Sequence, residues 1–149
     1  LVFLDEPTTG LDPQARHLIW QRLRSLRQAG KTLILTTHYM EEAQRLCDRI
    51  AILDHGRLLD LGSPAALIAR HIEPEVVEIG EAGRYAWLAE AARNHATRVE
   101  TIGESLFCYG TDLRALIAAL RGQGVADYHH RPASLEDVFL KLTGRDLRE

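Results

Sequence analysis

The chain has no long hydrophobic run, few cysteines and no excess of charge of one sign. Its longest apolar stretches, such as IAIL and LIAAL, have four or five residues, far fewer than the roughly 18 that span a bilayer. Cys47 and Cys108 belong to no metal-binding or disulfide pattern, so we expect two reduced thiols. Residues 1–74 carry nine basic and nine acidic side chains, and residues 75–149 carry nine basic and twelve acidic side chains. This balance argues against nucleic acid as a partner.

The composition that remains is that of a folded protein. Hydrophobic residues make up 46% and charged residues 26% of the 149 residues, which is typical of globular domains. The start has no basic segment or cleavage site of a signal peptide. It also begins on an apolar run without an initiator methionine, and we therefore expect a fragment of a longer protein.

The first half alternates apolar runs with helical patterns, which predicts an α/β fold. Residues 1–4 and 32–37 are predicted to be buried strands because their apolar runs are short and continuous. Between them, Asp12 and the proline after it favour a helix start, and Gly30 favours its end. The segment MEEAQRLC predicts a short helix, RIAILD-HG-RLLDLG predicts a hairpin, and a further helix is predicted to end at about His71.

The second half has a different order of elements. The strands EVVEIG, TRVETI, SLFCYG and ADYHHR are interleaved with helices at about 85–94 and 112–121, which gives β-α-β-β-α-β, the order of ferredoxin-like domains. Ser134 and Asp137 predict a capping box on a closing helix. Residues 1–72 and 73–149 are therefore predicted to be separate domains, with the boundary near Glu73. The residues expected in the second core are Val77, Ile79, Leu106, Cys108, Leu113, Leu116, Ile117 and Leu120.

Polar side chains follow two successive predicted strands. Asp5 and Glu6 end the first strand, and His38 ends the second. In a parallel α/β sheet such strand ends share one edge, where ligands bind. Hydrolysis of a phosphoanhydride needs a metal ion on the phosphate oxygens and a base that positions water, and paired acids can supply both. Taken alone, two acids at a strand end are more often solvated carboxylates than a metal site. A single histidine at a strand end is likewise more often an ordinary surface group than a phosphate ligand.

The segment AGKT at 29–32 is not expected to bind phosphate. A phosphate loop has the pattern G-x-x-x-x-G-K-[ST] and joins a strand to a helix. Here the position of its first glycine is Ser25, and the segment joins a helix to a strand. We therefore interpret it as a helix stop.

The combined pattern resembles a known protein family. LVFLDEPTTGLDP followed by LTTHYMEEAQRLCDRIAILDHGRLL is similar to the Walker B strand, the next loop and the switch-histidine strand of ABC transporter ATP-binding subunits. The ending PASLEDVFLKLTGRDL is typical of exporter ATPases with an added C-terminal domain. Together with ARHLIWQRLRSL and GESLFCYG, it resembles most the nodulation-factor (lipo-oligosaccharide) exporters. The resemblance implies an incomplete P-loop NTPase sheet followed by a ferredoxin-like α+β domain.

The resemblance also implies roles for individual residues. Asp5 would hold Mg²⁺ through water, Glu6 would be the general base, and His38 would contact the γ-phosphate of ATP. The loop Gly10-Leu11-Asp12 would cross a dimer interface and sense the partner's nucleotide. In the family, the phosphate loop, the glutamine loop and the signature motif come before these segments. None of them occurs in this sequence, so the chain alone is expected to be inactive.

The function expected from the resemblance is ATP hydrolysis coupled to export. The parent protein would be a homodimer on the cytoplasmic face of the cell membrane, with ATP and Mg²⁺ as ligands and a separate membrane permease as partner. One alternative is a soluble ABC-type ATPase that is not involved in transport. A second alternative is that residues 73–149 act as a dimerisation or regulatory module.

Overall fold

A computed structural model of the chain describes residues 1–144, which form two compact units. The first unit is Leu1–Pro64, and the second begins at Ala65. The predicted fold class is confirmed, since a small parallel α/β sheet precedes an α+β unit. The structural division falls before the position near Glu73 at which the sequence places the domain boundary, and the domain limits stay a prediction.

The first unit contains the strands and helices expected from the sequence. They are β1 (Val2–Asp5), α1 (Pro13–Gln28), β2 (Leu33–Thr36), α2 (Met40–Leu46), β3 (Ile50–Asp54) and β4 (Arg57–Gly62). β1 and β2 pair in parallel, and β3 and β4 form the predicted antiparallel hairpin. Within residues 1–144, β2 and β3 do not pair with each other, so these four strands form two separate sheets.

The parallel sheet is buried on one face only. Leu4, Leu33 and Leu35 pack against a core that contains Trp20 of α1. On the other face, Phe3 lies opposite Ile34, and their exposed fractions are 70% and 48%. The prediction that both strands are fully buried is therefore wrong. A continuous apolar run is typical of strands covered on both faces, whereas the described helices cover one face of this sheet.

The second unit has the predicted ferredoxin-like order. After α3 (Pro64–His71) come β5 (Glu75–Ile79), a short 3₁₀ helix (Ala82–Arg84), α4 (Leu88–His95), β6 (Arg98–Ile102), β7 (Ser105–Gly110), α5 (Arg114–Gly122), β8 (Tyr128–Pro132) and α6 (Leu135–Thr143). The strands form one antiparallel sheet in the order β6-β7-β5-β8. Helix α4 begins later than expected because residues 85–87 form a turn instead, in which the Leu88 N–H donates to the Tyr85 carbonyl at 3.0 Å.

Both faces of this sheet are covered. The predicted core is confirmed on one face, where Val77 and Ile79 belong to a buried cluster with residues of α4 and α5. Ile117 is only partly buried at its edge. Val76 points to the opposite face and is also fully buried. Helix α6 reaches this second face through its first turn, where Asp137 bonds Tyr109 of β7.

Asp137, in the first turn of α6, joins the helix to the sheet. Its side chain is 2% exposed and accepts a hydrogen bond from the Tyr109 hydroxyl at 3.2 Å. Arg131 of β8 donates to both carboxylate oxygens, at 2.7 and 2.9 Å. The Ser134 N–H donates at 2.8 Å, which confirms the predicted capping box. Burial by itself raises the pKa of Asp137, but the hydrogen bonds and charge of Arg131 outweigh it, so the pKa is lowered.

We predict that Asp137→Asn lowers the free energy of unfolding of the second unit by about 3 kcal/mol at pH 7, since it leaves Arg131 partly buried without its counterion. Because the folded-state pKa is lowered, this stabilisation is present above the unfolded-state value of about 3.9 and is lost as pH falls through the folded-state pKa. Urea unfolding from pH 7 to pH 3 measures both effects. The control is Glu136→Gln, at the exposed neighbouring position. An equal effect of the two substitutions would contradict the prediction.

Candidate functional site

The parallel pairing of β1 and β2 places two polar strand ends side by side. Asp5 lies opposite Thr36 in the register of the sheet. The Thr36 hydroxyl donates to the Asp5 carboxylate and accepts from the Glu6 N–H at 3.2 Å. The same N–H lies 3.0 Å from the Thr36 carbonyl oxygen. Thr36 therefore holds the side chain of Asp5 and the backbone of Glu6. This role was not predicted from the sequence, where the only signal for it is a hydroxyl residue at the end of the second strand.

Glu6 has an unusual backbone conformation. Its φ is 44°, in the left-handed region that residues other than glycine rarely adopt. The chain turns there, and the Thr9 N–H donates to the Glu6 carbonyl at 3.2 Å. The Thr9 hydroxyl also donates to Glu6 Oε2 at 3.1 Å. Strain of this kind costs about 1–3 kcal/mol and is common at functional sites.

The turn brings Glu6 next to His38. His38 Nδ1 lies 3.4 Å from Glu6 Oε1, and the side chains are 53% and 46% exposed. The His38 ring packs beside Tyr39 with the ring centroids 4.2 Å apart, and the guanidinium of Arg16 lies 4.4 Å from the centroid of the Tyr39 ring. A carboxylate and an imidazole thus meet at a solvent-facing strand edge, as the sequence predicts, and their roles stay predictions.

The loop from Gly10 to Asp12 leads from this edge into α1. Gly10 has a φ of 76°, which glycine adopts without strain. Asp12 Oδ1 accepts the Ala15 N–H at 2.8 Å and so caps the helix. Gly10 and Asp12 are exposed, and Leu11 is partly buried. The structure therefore gives Asp12 a local role in addition to the interface role that the resemblance implies.

The residues present fit a magnesium ion only in part. Within residues 1–144, no group of three or more His, Cys, Asp or Glu side chains could hold a metal ion. Mg²⁺ is commonly bound by one or two carboxylates, with water and phosphate oxygens as the other ligands. Asp5 is exposed at the strand end and is suited to such a limited contribution.

Two family models each match one part of the chain. Residues 85–144 match the family model described as "Nodulation factor export protein NodI, C-terminal domain". Residues 1–42 match the model described as "AAA domain, putative AbiEii toxin, Type IV TA system".

Curated relatives match the chain over its whole length. A "Nod factor export ATP-binding protein I" from Rhizobium sp. (strain N33) is 55% identical over 149 residues, covering 100% of this chain and 49% of the relative. Proteins of the same name from Ralstonia nicotianae and Sinorhizobium fredii are each 52% identical, covering 100% of this chain and 48% and 43% of those relatives. The chain is thus homologous to the ATP-binding proteins of Nod factor export, and it spans about half the length of the curated relatives it matches.

A solved structure described as "Structure of ATP binding subunit of ABC transporter" is 33% identical to this chain, with a TM-score of 0.42. The match covers 46% of this chain and 29% of the solved chain.

Among the helices of residues 1–144, none has the length and hydropathy needed to cross a membrane.

We predict that Asp12→Ala lowers the free energy of unfolding of the first unit by about 1 kcal/mol, because α1 loses its N-cap. Asp12→Asn should change it little, since asparagine caps helices about as well as aspartate. Chemical denaturation followed by circular dichroism measures the difference. If the two variants lose the same stability, the charge of Asp12 and not its capping bond is what matters.

Proposed function

We propose that the protein carrying this chain is the ATP-hydrolysing subunit of an ABC exporter. The observation that carries the proposal is the 3.4 Å contact between Glu6 and His38 at the strand edge. It is supported by 52–55% identity to Nod factor export ATP-binding proteins. The name of those relatives makes a Nod factor the proposed cargo, and the sequence resemblance implies that this cargo is a lipo-oligosaccharide.

In this proposal Glu6 accepts the proton of the attacking water. Its carboxylate is half-exposed, and the turn at its own backbone directs it towards His38. The imidazole of His38 donates a hydrogen bond to the γ-phosphate and so keeps the phosphate near the base. Asp5 would hold Mg²⁺ through water, and the bound ion would neutralise charge on the phosphate oxygens.

The proposed assembly has two copies of the subunit and a membrane permease at the cytoplasmic face of the membrane. The exposed Gly10 and Asp12, with Leu11 between them, would cross the interface to the partner's nucleotide. Residues 1–72 would belong to the nucleotide-binding domain, and residues 73–149 would form the accessory domain. The chain contains no G-x-x-x-x-G-K-[ST] pattern, so we expect residues 1–149 alone not to bind ATP productively.

We predict that Glu6→Gln in the full-length subunit keeps ATP binding and lowers the rate of phosphate release by about 10²–10⁴-fold, the usual contribution of a general base. His38→Ala should also impair turnover. The matched control is Glu41→Gln, an exposed residue paired with Arg45 at 2.9 Å, which should keep the normal rate. Hydrolysis by Glu6→Gln at the wild-type rate would show that Glu6 is not the base.

A second candidate function is favoured by the separate core of the second unit. If residues 73–149 are a dimerisation module, this segment should sediment as a dimer at micromolar concentration and dissociate on dilution. Analytical ultracentrifugation measures this directly. A monomer at every concentration would leave dimerisation to the ATP-binding half.

A further inference from the structure

A buried carboxylate lies behind the proposed site. Glu42 of α2 is 0% exposed, and its Oε1 accepts two hydrogen bonds. One comes from the Thr8 hydroxyl at 2.8 Å, and the other comes from Trp20 Nε1 at 2.9 Å. Within the described part of the chain, Glu42 Oε2 has no hydrogen-bond partner.

A buried glutamate with one unpaired oxygen is a less stable choice for this position than an apolar side chain of the same size. A buried polar oxygen without a partner lowers stability, and well-packed apolar side chains often replace buried polar groups without loss. An apolar residue at position 42 would remove the unpaired oxygen, although Thr8 and Trp20 would then need other partners. Packing alone therefore does not explain a carboxylate at position 42. The two hydrogen bonds that its Oε1 accepts from Thr8 and Trp20 do explain it.

The bond between Thr8 and Glu42 connects the two segments that carry the proposed catalytic groups. Thr8 is fully buried and lies two residues after Glu6 in the sequence. It lies within the turn that the Thr9 N–H closes by donating to the Glu6 carbonyl at 3.2 Å. Glu42 follows His38 by four residues, across the first turn of α2, where the Ala43 N–H donates to the Tyr39 carbonyl at 3.2 Å.

We propose that Glu42 is a positioning residue for ATP hydrolysis, which sets the spacing of Glu6 and His38 by binding the Thr8 hydroxyl. The inference rests on the proposed function. When the bond is absent, the turn after Glu6 and the start of α2 can shift relative to each other, and the carboxylate and imidazole lose their common geometry. Displacement of a catalytic group by about 1 Å can lower a rate on the order of 10²-fold. The bond to Trp20 anchors α2 to α1 and contributes to stability only.

The test uses steady-state hydrolysis of Mg-ATP by the full-length subunit. Glu42→Met has a similar volume but no acceptor, and it should lower kcat on the order of 10²-fold with little change in the KM for ATP. Glu42→Gln keeps one acceptor oxygen and should retain most of the activity. The control is Glu41→Met on the exposed face of the same helix, which should keep the normal kcat.

Thr8 provides an independent test if Glu42→Met fails to fold. Thr8→Val removes only the hydroxyl and should lower kcat as much as Glu42→Met does, whereas Thr8→Ser should restore it. The double variant should be no slower than either single one, because both remove the same interaction. Trp20→Phe loses the other bond and should lower thermal stability while kcat stays within about twofold of wild type.

The outcomes separate this inference from the proposed function. A wild-type subunit that does not hydrolyse ATP, or whose hydrolysis is unaffected by Glu6→Gln, would overturn the proposed function and the inference with it. Hydrolysis that depends on Glu6 but stays within about twofold of wild type in Thr8→Val would overturn the positioning role alone. A loss of kcat in Trp20→Phe equal to that in Thr8→Val would also overturn it, since it would show a general effect of destabilisation.

Discussion

The parallel pairing of β1 with β2 is the contact on which the candidate site depends. It sets Asp5 opposite Thr36, and the Thr36 hydroxyl then bonds both Asp5 and the backbone of Glu6. A shift of one residue in this register would turn the alternate side chains to the other face. The hydrogen bonds of Thr36 and the contact of Glu6 with His38 would be lost together. The chemistry proposed for this edge therefore requires one particular register between two short strands.

That register is supported by packing on one side of the sheet. Leu4, Leu33 and Leu35 contact the core formed with α1 and α2, which makes the alternative register unfavourable. Trp20 belongs to this core and also donates to Glu42. The apolar layer and the polar groups at the edge are thus connected through the same two helices.

Much of the fold could be predicted from local sequence signals. Asp12 and the proline after it begin α1 as expected. Gly30 lies just after the end of α1 with a φ of 78°, so the segment AGKT ends a helix as predicted. The capping box of Ser134 and Asp137 is present as well. These predictions succeed because caps and turns depend on a few adjacent residues. The same local character explains why the alternation of strands and helices in the second half predicted its topology.

The remaining features depend on residues that are distant in the sequence. Nothing near Phe3 or Ile34 indicates that one face of their sheet is exposed, because coverage is decided by where α1 and α2 pack. Thr36 and Glu42 are ordinary residues in the sequence, and their roles appear only when the chain brings them to partners about 30 residues away. The proximity of Glu6 and His38 could be predicted, since parallel strand ends share an edge, whereas the bonds that hold them there could not.

The contacts of Asp137 also bear on how α6 can move. Apolar contacts are not directional, so a helix held by them alone can slide or rotate in small steps at little cost. Asp137 instead binds Tyr109 and Arg131 from two strands and closes the first turn of its own helix. These bonds are directional and meet at one carboxylate, so a small rotation of α6 would weaken all of them at once. The helix is therefore expected to be either fully docked on the sheet or detached from it, with few intermediate positions.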